Sequence, residues 1–168
     1  MTYAEKVNGA LLMDGIIGRT IKEEDIIEGV PAMYAPKTMK ASNLIGGGTI
    51  ALSNLMTGEV IPVIIYDDCY DKLNNDGKDF LIYHELSHIQ HGDYMMAQKD
   101  QIKYFIACKL WIAKIEVLAD IGCTKRIGRK RTLSGMLNLI RTCKDGYVQM
   151  IRRMIALNLH YAIGTIVK

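Results

Sequence analysis

His84-Glu85-Leu86-Ser87-His88 is the segment of this chain whose residue types and spacing could do chemistry. On a helix of about 3.6 residues per turn, positions i and i+4 stand one above the other, so His84 and His88 can present two imidazoles to one cation. Glu85 is rotated off that line by about a quarter-turn or slightly more, which sets its carboxylate beside the cation. A zinc ion lowers the pKa of a bound water to about 7, and a neighbouring carboxylate can take the proton. The competing reading is a solvated helix with two chance histidines. Against it, His84, His88 and His91 cluster in a chain that holds four histidines in all, and Phe80, Leu81, Leu86 and Ile89 give the segment an apolar face.

A catalytic zinc usually takes three protein ligands and keeps one position for water. The third ligand could be His91, Glu116, Asp120 or His160. His91 follows His88 by three residues, but three ligands from one helix would crowd the ion, and a helix end suits a polar, partly cationic residue anyway. Glu116 is favoured. It lies in Ile115-Glu116-Val117-Leu118-Ala119-Asp120, an otherwise apolar stretch, where a carboxylate is costly unless paired or metal-bound. The plain alternative is an exposed glutamate paired with Lys114. Asp120, one turn further on, could accept a hydrogen bond from a ligand histidine.

Residues 84–93 (HELSHIQHGD) followed by Glu116 and Asp120 resemble the gluzincin family of heat-shock membrane proteases and CAAX prenyl endopeptidases, which carries HExxH and then a helix with a glutamate four residues before an aspartate. The likeness spans residues 45–157 and is strongest at the two motifs. Val63-Ile64-Ile65-Tyr66 and Leu73 to Phe80 look like the family's strand and lead-in to the active-site helix. Leu133 to Ile140 looks like its next helix, and Arg152-Arg153-Met154-Ile155 like its C-terminal arginine helix. The resemblance implies an α+β, zincin-like fold and a zinc endopeptidase acting on a protein or peptide. Zn2+ would sit on His84, His88 and Glu116, with Glu85 as general base and Asp120 behind the ligands. Two family features are missing from the sequence: the transmembrane helices and the histidine that precedes the arginine helix. The group stabilising the transition state is therefore sought among His160, Tyr161, Tyr147 and Arg152. By the same resemblance a substrate strand would pair with the sheet edge at Ile45 to Ser53. Two other readings stand beside this one. One is a zincin scaffold kept as a regulatory or protein-binding domain with a structural metal. The other is a virus- or mobile-element-encoded protease with one dedicated protein substrate.

The elements that must position these residues are legible in outline. Thr2 to Met13 reads as a helix and Ile21 to Glu28 as a short helical turn broken by Gly29 and Pro31. Val30 to Lys40 reads as extended or edge strand, Gly46-Gly47-Gly48 as a turn, and Thr49 to Ser53 with Glu59 to Tyr66 as a hairpin about Thr57-Gly58. From residue 76 the pattern is helical: Asp76 to Gln90 with Gly92 as its stop, Met95 to Gly122, an interruption at Gly128, then Leu133 to Thr142 and Tyr147 to Ala162. This predicts a small twisted N-terminal sheet and a mainly helical C-terminal half, in a single domain over residues 1–168.

Composition sets the bounds. With 49% apolar and 23% charged residues the chain is globular, and a formal charge of +3 is too mild to point to nucleic acid. The basic run Lys125, Arg126, Arg129, Lys130, Arg131 reads first as a solvated stretch after a helix C-terminus, where positive charge is favourable. No signal peptide and no membrane span are expected, since Ile102 to Cys123, the most apolar long stretch, holds Lys103, Lys109, Lys114, Glu116 and Asp120. Cys69, Cys108, Cys123 and Cys143 form no CxxC pair and suit reduced thiols, hence a cytoplasmic protein.

Overall fold

The computed structural model describes residues 2–13, 20–34, 47–53, 58–93, 95, 101–143 and 147–166. The chain divides into two compact units, Met1–Asp71 and Lys72–Lys168, each described by itself. The mixed α+β composition is as expected, with strands in the first unit and the long helices in the second.

In the first unit, helix α1 (Tyr3–Met13) precedes a 3-10 turn at Glu23–Asp25 and strands β1 (Ile26–Ile27), β2 (Val30–Tyr34), β3 (Gly47–Ser53) and β4 (Val60–Tyr66); α2 (Asp68–Asp71) closes it. The described strands run in the order β1-β2-β4-β3. β3 and β4 form the expected antiparallel hairpin, from Ser53 opposite Val60 to Gly47 opposite Tyr66. β2 pairs parallel with β4 through Ala32–Ile64 and Tyr34–Tyr66, so it is an inner strand. Pro62 falls in the part of β4 that precedes this pairing, which is where a residue without an N–H is tolerated. Ile61, Val63 and Ile65 alternate onto one face and pack with Val7, Ile21, Met33 and Leu52.

Two local readings are corrected here. Gly47 and Gly48 are strand residues paired with Tyr66 and Ile65, not a turn; β4 supplies the cross-strand partners that glycine's local preference does not. The stretch Ile21 to Glu28 is helical only at Glu23–Asp25 and then becomes β1, because Ile26 and Ile27 find β2 beside them. Residues 35–46, which include most of the Val30 to Lys40 segment and Gly46, lie outside the described residues.

The second unit is built on α3 (Asn75–His91), α4 (Gln101–Ile127), α5 (Arg129–Cys143) and α6 (Tyr147–Ile166). Asn74 caps α3 by accepting a hydrogen bond from the Gly77 N–H at 2.9 Å, and Gly92 ends it in the left-handed conformation at φ +74°. Gly128, at φ +83°, makes the break between α4 and α5. The core holds Phe80, Leu81 and Leu86 of α3, Ala119 and Cys123 of α4, Met136 and Leu139 of α5, and Met150 and Leu157 of α6.

Glycines let the helices approach α3 closely. A Cβ at Gly122 of α4 would stand 2.5 Å from the Ser87 hydroxyl oxygen and 2.9 Å from Ser87 Cβ. A Cβ at Gly135 of α5 would strike the Asp76 carbonyl oxygen and come within 2.5 Å of Phe80 Cβ. Neither neighbour at Gly135 can rotate away. Gly135→Ala is therefore expected to destabilise the helical unit by about 1–3 kcal/mol, read as a lower urea midpoint, and an unchanged midpoint would contradict this packing.

The basic run is exposed as expected, apart from half-buried Arg126, but three of its side chains have partners. Arg131 pairs with Asp76 at 3.0 Å and also with Asp79, Arg126 reaches Ser87 at 3.3 Å, and Arg129 bonds Asn158 of α6 at 2.5 Å. These contacts join α4 and α5 to α3, and α5 to α6. Cys69 and Cys143 are each in a disulfide rather than reduced as expected, and Cys123 is a free buried thiol. Sequence spacing says nothing of whether cysteines come within the roughly 7 Å that a bridge requires. Among the described residues no helix is long and apolar enough to cross a membrane.

Candidate metal centre

The site is assembled by three helices of the second unit. His84 and His88 stand one turn apart on α3, in line with Phe80. On α4, Glu116 shares a face with Ala119, Asp120, Cys123 and Thr124; the last four are buried, and the Glu116 side chain keeps 28% of its exposure. On α6, Arg153 belongs to the buried stripe Met150–Arg153–Leu157, with its side chain 11% exposed.

Three donors converge. His84 Nε2 lies 3.2 Å from Glu116 Oε2, His88 Nε2 lies 3.5 Å from Glu116 Oε1, and the two Nε2 atoms are 3.1 Å apart. His84, His88 and Glu116 form a group able to hold a metal ion. The spacing suits a single small cation. Ligand atoms at 2.0–2.2 Å from a tetrahedral ion are about 3.3–3.6 Å from each other, close to these separations.

Each imidazole is gripped on its other nitrogen by a carboxylate. Asp120 Oδ1 is 2.9 Å from His84 Nδ1, and Asp93 Oδ2 is 2.9 Å from His88 Nδ1. These contacts assign a proton to each Nδ1 and turn both Nε2 atoms toward Glu116. Asp120 is itself held by Arg153, whose Nε and Nη2 meet its two oxygens at 3.0 and 2.5 Å. Arg153 Nη1 reaches Glu116 Oε2 at 2.7 Å, and Nη2 lies 3.1 Å from His84 Nδ1.

The electrostatics follow from this network. Burial favours neutral His84 and the Arg153 charge adds to that, but Asp120 and Glu116 more than offset both, so the pKa of His84 is raised. Burial also opposes the charged form of His88, yet hydrogen bonds to Asp93 and Glu116, with the Glu85 charge nearby, raise its pKa to about 10. Burial would push Glu116 upward; Arg153 and the two histidines instead hold it well below the carboxylate range. Asp120 is likewise lowered, chiefly by Arg153 and His84 against the cost of burial. The carboxylates that keep protons on these histidines are equally placed to stabilise a cation in their place.

The remaining candidates stand as follows. Glu85 is half-buried on α3, and its charge acts on both His88 and Arg153. His91 is exposed at the end of α3. Arg152 is exposed, and the neighbouring Arg153 is the arginine that enters the cluster. His160 is exposed and Tyr161 half-buried, edge-on to each other, with the Arg129 guanidinium 5.6 Å from the Tyr161 ring. They follow Arg153 along α6 by about 10 and 12 Å of helix axis. Tyr147 opens α6.

Sequence reasoning missed Arg153 and Asp93. The signal for Arg153 was present: it interrupts the apolar i, i+3, i+7 stripe Met150–Arg153–Leu157, as Glu116 interrupts its own. Asp93 gave none, because it follows the helix stop.

No family model, curated protein or solved structure matches this chain. Its donors by themselves define a centre of two histidines and one carboxylate, the ligand class used by open, catalytic zinc sites.

Proposed function

We propose that the chain is a zinc-dependent endopeptidase of the gluzincin type, with His84, His88 and Glu116 as the metal ligands and Glu85 as the general base. The observation that carries this reading is the convergence of three protein donors, with mutual separations of 3.1–3.5 Å, beside a glutamate that follows the first histidine. Among the described residues three donors form the group, the number a catalytic zinc takes, whereas a structural zinc is closed by four. This favours the enzyme over a binding domain with a structural metal.

Zinc held there would supply Lewis acidity toward the scissile carbonyl and lower the pKa of a bound water. The chain supplies the rest. Glu85 takes a proton from the attacking water at its carboxylate and later delivers it to the leaving amine. Asp120 and Asp93 keep both Nε2 atoms on the donor side of the site. Arg153 holds Asp120 bidentately and neutralises the surplus of carboxylate charge.

The test is metal content together with peptide cleavage. Purified protein is expected to hold one zinc per chain and to cleave an unstructured protein such as casein. Chelation should stop the cleavage and added zinc should restore it. Protein that takes up no zinc, or cleavage that survives chelation, overturns the proposal.

A further inference from the structure

We infer that Asp93 is a positioning residue for His88, brought to it by the helix stop at Gly92; the inference rests on the zinc reading above. Had α3 continued, residue 93 would lie five positions beyond His88, about 140° around the helix and facing away from it. The helix does not continue. Gly92 takes φ +74°, a conformation that side chains resist, and its N–H bonds back to the carbonyls of His88 and Ile89. The reversal returns Asp93 to the end of the helix, where its carboxylate meets His88 Nδ1 at 2.9 Å, with both side chains largely buried.

A simple ion pair at a helix end would leave the outer nitrogen of the histidine in solvent. Here His88 Nε2 is instead aimed at Glu116 Oε1 and His84 Nε2. Asp93 thus does for His88 what Asp120 does for His84, but from two residues beyond the end of the same helix rather than from α4. Carboxylates on the far nitrogen of a metal-binding histidine fix its tautomer and ring orientation and raise its basicity.

The experiment compares zinc affinity, by competition with a chromophoric chelator, and the visible spectrum of the cobalt-substituted protein, in wild type, Asp93→Ala and Asp93→Asn. Both variants are expected to bind zinc about 10–100-fold more weakly and to shift the cobalt bands, while far-UV circular dichroism stays that of wild type. If Asp93→Ala does not fold, Asp93→Asn, which keeps the shape, carries the test alone. Wild-type affinity and an unchanged cobalt spectrum in a folded variant overturn the inference and leave the zinc reading intact. Wild-type protein that binds no zinc removes both.

Discussion

Glu85→Gln should abolish most peptide hydrolysis while leaving zinc in place. The substitution keeps the size and shape of a half-buried side chain on α3 and removes only its ability to accept a proton. General-base catalysis by a positioned side chain contributes about 10²- to 10⁴-fold, so kcat/KM is expected to fall by that factor. Zinc content should stay at the wild-type level, because His84, His88 and Glu116 are untouched. The pairing of the two measurements matters. Loss of activity together with loss of zinc would make Glu85 a structural neighbour of the site, and a variant within about threefold of wild type would remove it from the mechanism.

The second large effect concerns folding. Arg153→Met removes the one guanidinium that bonds Asp120 at two points and Glu116 at a third. Asp120 has no exposed side-chain surface, so it would keep its charge against His84 alone. Removing one partner from such a buried pair costs about 3–5 kcal/mol, and zinc-free protein should show that loss in urea unfolding. The loss should shrink when zinc is added, since a dication among His84, His88 and Glu116 would compensate Glu116 in place of the arginine. Arg153→Lys should fall between the two, because an ammonium keeps the charge but not the two-point grip. Arg152→Met should stay within about 0.5 kcal/mol of wild type, as an exposed residue does. Equal effects at 152 and 153 would mean that the arginine is wrongly assigned.

These two arginines show where reading the sequence succeeds and where it stops. Periodicity located α3, α5 and α6 within a few residues, because each buries an apolar stripe. The same reasoning picked Glu116 out of an apolar run, and the structure places it between two histidines. Applied to α6, it would have chosen Arg153 over Arg152, since only position 153 falls in register with Met150 and Leu157. The parallel pairing of β2 with β4 was not legible, because parallel partners are joined by long connections and leave no turn signature. Gly47 and Gly48 misled for a related reason: their place in β3 depends on the strand beside them.

The sequence by itself determined the histidine half of the candidate site. Histidines four residues apart must share a helical face, and the glutamate between them must stand beside it, because helix geometry is local and fixed. Only the tertiary structure decided what surrounds that pair. Bringing Glu116 to the histidines requires α4 to cross α3 at Gly122, and bringing Arg153 to Asp120 requires α6 to lay its buried stripe on the same cluster. Bringing Asp93 back to His88 requires α3 to end where it does. Those contacts depend on distances between helices, which residue spacing along one chain does not encode.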